Sequence, residues 1–128
     1  MTPAGAAGMM GNIQAESAFM ANNVENRCPL ADEAYTILVD ANPDYDFAKD
    51  NGGYYGYGLC QWTYPPRKIA LRNYARERGV SISDIFMQLD FMHHELITEF
   101  PSVWRVLTTT DSVKDASDIV MEIYENPA

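Results

Sequence analysis

Apolar residues recur at helical spacing over most of the chain, and this pattern predicts a mainly helical fold. Proline in the first turn or a capping side chain favours a helix start at several points. The predicted helices begin near Thr2-Pro3, Asp32, Pro65-Pro66, Ser81 to Asp84, Ser102 and Ser112. Their inner faces would include Met9, Ile13, Met20, Leu71, Ile85, Leu89, Met92, Leu96, Val113, Ala116, Val120 and Ile123.

Two polar stretches interrupt this pattern. Residues 21–30 are rich in asparagine and predict a loop. Residues 44–58 are rich in Asp, Gly and Tyr, which favours a loop or a small hairpin. We therefore expect a mainly α fold with a small β-hairpin near residues 45–62.

Glu16 stands out on the first predicted helix. It lies three residues after Ile13 and four before Met20, which places it on the side predicted to face the core. Burial there would disfavour the charged form and raise the pKa, as a general acid near neutral pH requires. The alternatives are that Glu16 points into water at the end of the helix or pairs with an arginine.

Two sequence blocks carry a resemblance to a known family. They are Gly-Asn-Ile-Gln-Ala-Glu-Ser at 11–17 and Gly-Tyr-Gly-Leu-Cys-Gln-Trp-Thr at 56–63. Together with Met87 to Phe91 and Tyr124 to Ala128, they make the chain similar to the phage tail lysozymes over nearly its whole length. That family belongs to the lysozyme-like superfamily, with goose-type lysozymes and soluble lytic transglycosylases. The resemblance implies one α+β lysozyme-like catalytic domain over residues 1–128, which we expect to be excised from a longer chain.

The resemblance implies a muramidase that cleaves the MurNAc-β-1,4-GlcNAc bond of peptidoglycan, with Glu16 as the general acid. A glycosidase usually needs a second carboxylate. The candidates are Asp50 and Asp46, although both would equally suit a solvated loop. Without a second carboxylate, the substrate's own 6-hydroxyl could attack and leave 1,6-anhydro ends, as in lytic transglycosylases. A non-catalytic glycan-binding or tail-structural domain is a further alternative.

Several residues near the second block are candidates for substrate binding. Aromatic faces stack on sugars, and glycine lets the backbone lie close to a ligand. The candidates are Gln61, Trp62, Tyr55, Tyr57 and, on the last helix, Tyr124. The alternatives are that Trp62 and Tyr124 pack in the core and that Tyr55 and Tyr57 only decorate a hairpin.

Charge and composition restrict the classes of molecule that the chain is expected to bind. The net charge of −9 argues against nucleic acid, which needs phosphate neutralisation. We find no apolar run that could insert into a membrane and no signal peptide. The expected partners are bacterial peptidoglycan and other domains of a phage or tail protein. The expected place of action is the phage tail or virion or, as an endolysin, the cell wall, and we expect no metal or other cofactor.

The two cysteines and the two adjacent histidines are candidates for a separate site. Cys28 and Cys60 could pair outside a reducing compartment, although two free thiols suit a domain of this size. Cys60 with His93 or His94 could form a cysteine peptidase dyad. Adjacent histidines on a helix point about 100° apart and cannot easily share a metal ion.

Overall fold

The computed structural model describes residues 1–125, and helices dominate this part of the chain. The α-helices are α1 (Pro3–Ser17), α2 (Asp32–Ala41), α3 (Pro65–Glu77), α4 (Ile85–Thr98), α5 (Pro101–Thr109) and α6 (Val113–Ile119). A short 3₁₀ helix spans Asp50–Gly52, and a π-helical turn over Val120–Glu125 follows α6 directly. The prediction of a mainly helical fold is confirmed. The end of the last family-like block, Asn126-Pro127-Ala128, lies outside the described residues.

Local capping chemistry sets the helix starts. Thr2 Oγ1 accepts a hydrogen bond from Gly5 N (3.0 Å) at the start of α1, and Ser112 Oγ accepts one from Asp115 N (3.1 Å) at the start of α6. At α4 the capping side chain is Asp84, whose Oδ1 accepts from Met87 N (2.8 Å). These side chains replace the backbone acceptors that the first amides of a helix lack.

The small hairpin expected near residues 45–62 does not form as paired strands in the described chain. Tyr57 makes isolated antiparallel bridges to Val24 and to Trp62, and no ladder extends from them. Left-handed φ angles at Asp50 (51°) and Tyr54 (52°) turn the chain repeatedly before Tyr57. Residues held in that region cannot continue an extended strand. This part of the fold expectation is therefore corrected to a compact loop closed by single bridges.

The buried faces of two helices differ from the predicted ones. Ile85 and Leu89 on α4 are exposed, as are Val113 and Ile123 near the end of the chain. The buried face of α4 instead includes polar residues, Gln88 and Glu95, each hydrogen-bonded inside the protein. Met92 and Leu96 are buried as predicted, so the pattern of apolar residues placed the second half of the α4 inner face correctly and its first half wrongly.

Helix α1 packs against α5 and α6 with almost no side-chain layer between the backbones. A Cβ built on Gly5 would lie 2.0 Å from Leu107 O, and one on Gly8 would lie 2.5 Å from Ala116 Cβ. Only glycine allows backbones to approach so closely. This packing fixes the helix that carries Glu16.

Candidate active site

The end of α1 places Glu16 at the edge of a cleft. Ala18 adopts a left-handed φ of 52° and caps the helix through a hydrogen bond from its N–H to Gln14 O. The neighbouring Ser17 is buried and donates its hydroxyl to Leu59 O (2.9 Å). Leu59 belongs to the second sequence block, residues 56–63, which we call the Gly-rich block. Because Ser17 ties α1 to this block, Glu16 is held at a fixed place relative to that loop.

The cleft has a volume of about 1170 Å³ and is lined from several elements. Acidic side chains are frequent in its wall. They are Glu16, Glu25, Glu95, Glu99 and Glu125. Arg67, His94 and the aromatic residues Tyr54, Tyr64, Phe91, Phe100 and Tyr124 also line it. A cleft of this size with several carboxyl groups could hold a segment of a polar chain.

Glu16 faces this cleft and not the core, which corrects the sequence-based placement. Glu16 is exposed to solvent. Met20, which was expected on the same apolar stripe, is exposed as well. Partial removal from water at the cleft wall nevertheless raises the pKa of the Glu16 carboxyl. Glu16 also lies in the last turn of α1, where the helix dipole disfavours a negative charge.

Glu25 provides a second carboxyl group in the cleft, and its pKa is shifted in the opposite direction to that of Glu16. Its Oε1 accepts a hydrogen bond from Gly56 N (3.2 Å), and its Oε2 pairs with the Arg27 guanidinium. Partial burial opposes ionisation, but these hydrogen bonds and the charge of Arg27 outweigh it, so the pKa of Glu25 lies below its usual value. The cleft thus combines one carboxyl group that favours its proton with one that favours its charge.

Glu95 is the centre of a buried network beneath the cleft. Its Oε1 accepts from Trp62 Nε1 (2.8 Å) and from the Tyr124 hydroxyl (2.6 Å). Arg67 binds it with two nitrogens, Nε to Oε2 (2.8 Å) and Nη2 to Oε1 (2.9 Å), and donates a third hydrogen bond from Nη1 to Tyr124 O (2.9 Å). This network joins α3, α4, the Gly-rich block and the π-helical turn.

Glu125 is the last described residue and belongs to that turn. Within residues 1–125 its Oε1 is buried and has no hydrogen-bond partner. Burial, followed by the negative charge of Glu16, raises the pKa of Glu125 to about 8. The group therefore retains its proton at neutral pH.

The two aspartates predicted as the second carboxylate lie elsewhere. Asp50 is buried and binds Lys68 Nζ (2.7 Å), with both side chains fully enclosed. It also accepts from the hydroxyls of Tyr35 (2.6 Å) and Tyr45 (3.0 Å). Asp46 is exposed and accepts from Lys49 N (3.0 Å) at the start of a turn. The structure brings neither of them into the cleft with Glu16.

The predicted substrate-binding residues divide into two groups. Gln61 and Tyr124 line the cleft, but Tyr124 is buried and its hydroxyl is occupied by Glu95. Trp62 and Tyr57 are buried in the core, and Tyr55 is half-buried outside the cleft wall. Buried rings cannot stack on a glycan, so Trp62 and Tyr57 support the loop by packing against it from the core.

Sequence reasoning missed Glu25, Glu95, Arg67 and Glu125. Glu95 follows Phe91 and Met92 at helical spacing, so a carboxylate on the buried face of α4 was the available signal. Glu125 stands in the last family-like block next to Tyr124. Nothing in the local sequence distinguishes Glu25 from an ordinary loop glutamate.

The cysteines and histidines do not form a second site among the described residues. Both cysteines are free. Cys60 is buried, and this burial raises the pKa of its thiol well above the usual value, which suppresses the reactive thiolate. His93 packs edge-on against Trp104 at a centroid distance of 4.9 Å. Within residues 1–125, no three His, Cys, Asp or Glu side chains are grouped as a metal site.

Of the comparisons with known proteins, the one with protein families gives a match. A family model described as phage tail lysozyme matches residues 1–128. Neither the curated proteins nor the solved structures gave a match. None of the helices within residues 1–125 has the length and apolar character that a membrane crossing requires.

Proposed function

Because the chain belongs to the phage tail lysozyme family, we propose that it hydrolyses the MurNAc-β-1,4-GlcNAc bond of peptidoglycan with Glu16 as general acid. Family membership itself indicates a lysozyme-like, peptidoglycan-cleaving function. The observation that carries the finer proposal is the pairing in one cleft of Glu16, whose pKa is raised, with Glu25, whose pKa is lowered. Two carboxyl groups separated in this way are the usual basis for acid and base assignments in glycosidases.

In the proposed reaction, Glu16 donates its proton to the glycosidic oxygen as the bond from that oxygen to C1 breaks. The Glu25 carboxylate stabilises the positive charge that develops at C1 and orients the attacking water. The water oxygen bonds to C1, and the proton it loses returns to Glu16. The products are two sugar ends, each with a hydroxyl group, and the protein regains its starting state.

The walls of the cleft suit a sugar chain. Tyr54 and Tyr64 expose 44% and 66% of their surface, so their rings are available for stacking. Gln61 holds the loop between them by donating from Nε2 to Asn23 O (2.9 Å) and Gly58 O (3.0 Å). In this proposal the chain acts as one catalytic domain on the bacterial cell wall, at a phage tail or after release.

The decisive experiment digests purified sacculi with wild type and with Glu16→Gln and identifies the products by mass spectrometry. Glu33→Gln on α2 is a matched control, because Glu33 is exposed and does not line the cleft. We expect reducing MurNAc ends from wild type and the control and at least a hundredfold lower rate for Glu16→Gln. Equal rates for all three would refute the role of Glu16.

The same digest separates the alternatives. Anhydro-MurNAc ends would indicate a lytic transglycosylase, and binding without cleavage would indicate a glycan-binding domain. Peptide fragments would indicate a peptidase. Loss of hydrolysis in Glu25→Gln with a normal fold would support Glu25 as the partner carboxylate, whereas an unchanged rate would exclude it.

A further inference from the structure

Arg27 lies in the same loop as Glu25 and contacts two different features of one cleft wall. Its Nε binds Glu25 Oε2. Its Nη2 reaches the turn before the Gly-rich block, at 3.3 Å from Gly53 O and 3.5 Å from Tyr54 O. The guanidinium also lies over the Tyr55 ring, at 5.7 Å from the centroid. One side chain therefore joins a carboxylate of the cleft to the turn that presents Tyr54.

The turn that carries Tyr54 is held from two sides. Tyr54 has a left-handed φ of 52°, which a non-glycine residue keeps only where its surroundings hold it. On the inner side, Tyr54 N donates to Lys49 O (3.0 Å) and Tyr55 N donates to the buried carboxylate of Asp50 (3.0 Å). On the outer side, Arg27 approaches the two carbonyl oxygens. Since 44% of the Tyr54 surface is exposed, its ring depends on this turn for its position in the cleft.

The Glu25 carboxylate is also held by two groups. Gly56 N donates to Oε1 (3.2 Å), and Glu25 N donates in return to Gly56 O (2.8 Å). Partial burial would raise the pKa of Glu25, but the hydrogen bonds from Arg27 and Gly56 and the charge of Arg27 lower it, with a smaller contribution from Lys68 on α3. The side chain of Arg27 is 65% exposed, so solvent screens its charge and the effect of the pair on the pKa is modest.

We propose that Arg27 is a positioning residue that sets the Glu25 carboxylate and the Tyr54 ring at fixed places along one wall of the cleft. The inference rests on the proposed function, in which Glu25 acts at C1 and Tyr54 stacks on the sugar chain. Arg27 does not line the cleft and therefore acts through these two residues. The task needs a guanidinium, because its planar fork directs Nε and Nη2 to different acceptors at a fixed angle, whereas a lysine ammonium is a single point of charge.

Two substitutions separate the two contacts. Arg27→Gln removes both the charge and the fork. Arg27→Lys keeps a positive charge beside Glu25 but cannot also reach the carbonyl oxygens of the turn. Arg105→Gln is the matched control, because it removes one exposed positive charge from α5, outside the cleft wall. The measurements are KM and the pH profile of kcat/KM on soluble glycan strands from sacculi, with circular dichroism to confirm that each variant is folded.

The two variants should differ in one readout and agree in the other. The acidic limb of the kcat/KM profile reports the ionisation of Glu25. In Arg27→Gln we expect this limb to move to higher pH by about half a unit, since an exposed cation that favours the carboxylate is lost. In Arg27→Lys the limb should stay near its wild-type position. Both variants should raise KM about three- to tenfold, because the Tyr54 ring loses its place.

Either of two results would overturn the proposal. One is an acidic limb that does not move in Arg27→Gln, and the other is a normal KM in Arg27→Lys. A shift of the same size in Arg105→Gln would also overturn it, because the effect would then follow from the net charge alone.

A titration without any assay of activity separates this inference from the proposed function. Protein labelled with ¹³C at the glutamate side-chain carboxyl gives the Glu25 midpoint by NMR, which should rise in Arg27→Gln and not in Arg105→Gln. If wild type cleaves no glycan, the proposed function fails, and the titration still decides whether Arg27 acts on Glu25. If cleavage depends on Glu16 and Glu25 but the Glu25 midpoint is the same in wild type and Arg27→Gln, the function stands and the inference is wrong.

Discussion

Replacing Asp50 with asparagine tests whether the carboxylate predicted for catalysis is instead a structural ion. Asp50 and Lys68 are both completely enclosed, and their closest atoms are 2.7 Å apart. Asparagine has nearly the same shape but carries no charge. The substitution therefore leaves the Lys68 ammonium group buried without its counter-ion.

The hydrogen bonds around Asp50 indicate how large the effect should be. Oδ2 accepts from Lys68 Nζ and from Tyr55 N (3.0 Å), while Oδ1 accepts from the Tyr35 and Tyr45 hydroxyls. An asparagine can keep its oxygen on Lys68 and turn its amide towards the tyrosine hydroxyls, which can rotate to accept. Most of the cost is thus the lost charge. Breaking a buried ion pair in this way costs about 3–5 kcal/mol.

That cost is a large fraction of the roughly 5–15 kcal/mol by which domains are stable. Burial already lowers the pKa of Lys68, so in the variant this amine can shed its proton and recover part of the loss. Urea unfolding followed by circular dichroism measures the change in the free energy of unfolding. In thermal unfolding we expect a melting point lower by about 10–20 °C. The double variant Asp50→Asn/Lys68→Met should recover much of the stability, because no lone charge remains.

Two results would refute this reasoning. A loss below about 1 kcal/mol would mean that the pair is not effectively buried. A collapse of kcat in the fully folded variant at low temperature would mean that Asp50 acts in the reaction after all. We expect kcat of the folded fraction to stay close to that of wild type.

Four further substitutions probe the site and the packing that supports it. Gly8→Ala should lower the free energy of unfolding by about 1–3 kcal/mol through the clash with Ala116, whereas Gly11→Ala, with open space around it, should raise it by up to about 1 kcal/mol; urea unfolding measures both. Glu95→Gln should cost about 2–3 kcal/mol and reduce kcat, because Arg67 loses its counter-ion; a variant as stable as wild type would contradict the network. Folded Glu125 holds its proton up to about pH 8 against a usual value of 4.5, so wild type should lose roughly 2–4 kcal/mol of stability from pH 5 to pH 8. Glu125→Gln should lose clearly less over that range, and parallel curves for the two proteins would contradict the shift.

The features that could be predicted from sequence are those that local chemistry decides. Helix α1 begins where Thr2 and Pro3 predict, and α2 spans Asp32–Ala41 as its pattern indicates. A capping side chain or a first-turn proline acts within a few residues, so its effect can be recognised in a short stretch of sequence.

The features that could not be predicted depend on contacts between distant residues. Asp50 meets Lys68 across 18 positions, and Trp62 meets Glu95 across 33. No pattern within a short stretch of sequence predicts which distant residue will be the partner. The sequence left open whether Glu16 faces the core or water at the end of its helix, and the structure decides for the cleft, because the left-handed Ala18 ends α1 before Met20 can extend the apolar stripe. The family resemblance identified Glu16 as a candidate, included Glu125 in its last block without assigning it a role, and gave no indication of Glu25.

The close contacts of Gly5 and Gly8 have a mechanical consequence for the proposed acid. Glu16 lies eight residues beyond Gly8, which is about 12 Å along the helix axis. A tilt of about 5° at the glycine contact would move the carboxyl group by about 1 Å, a displacement that can reduce a rate about a hundredfold. The close contacts of these two glycines therefore determine where the far end of the helix, and with it the carboxyl group, is placed. Small changes in the packing at Gly5 and Gly8 should alter the rate of cleavage without changing any residue that touches the substrate.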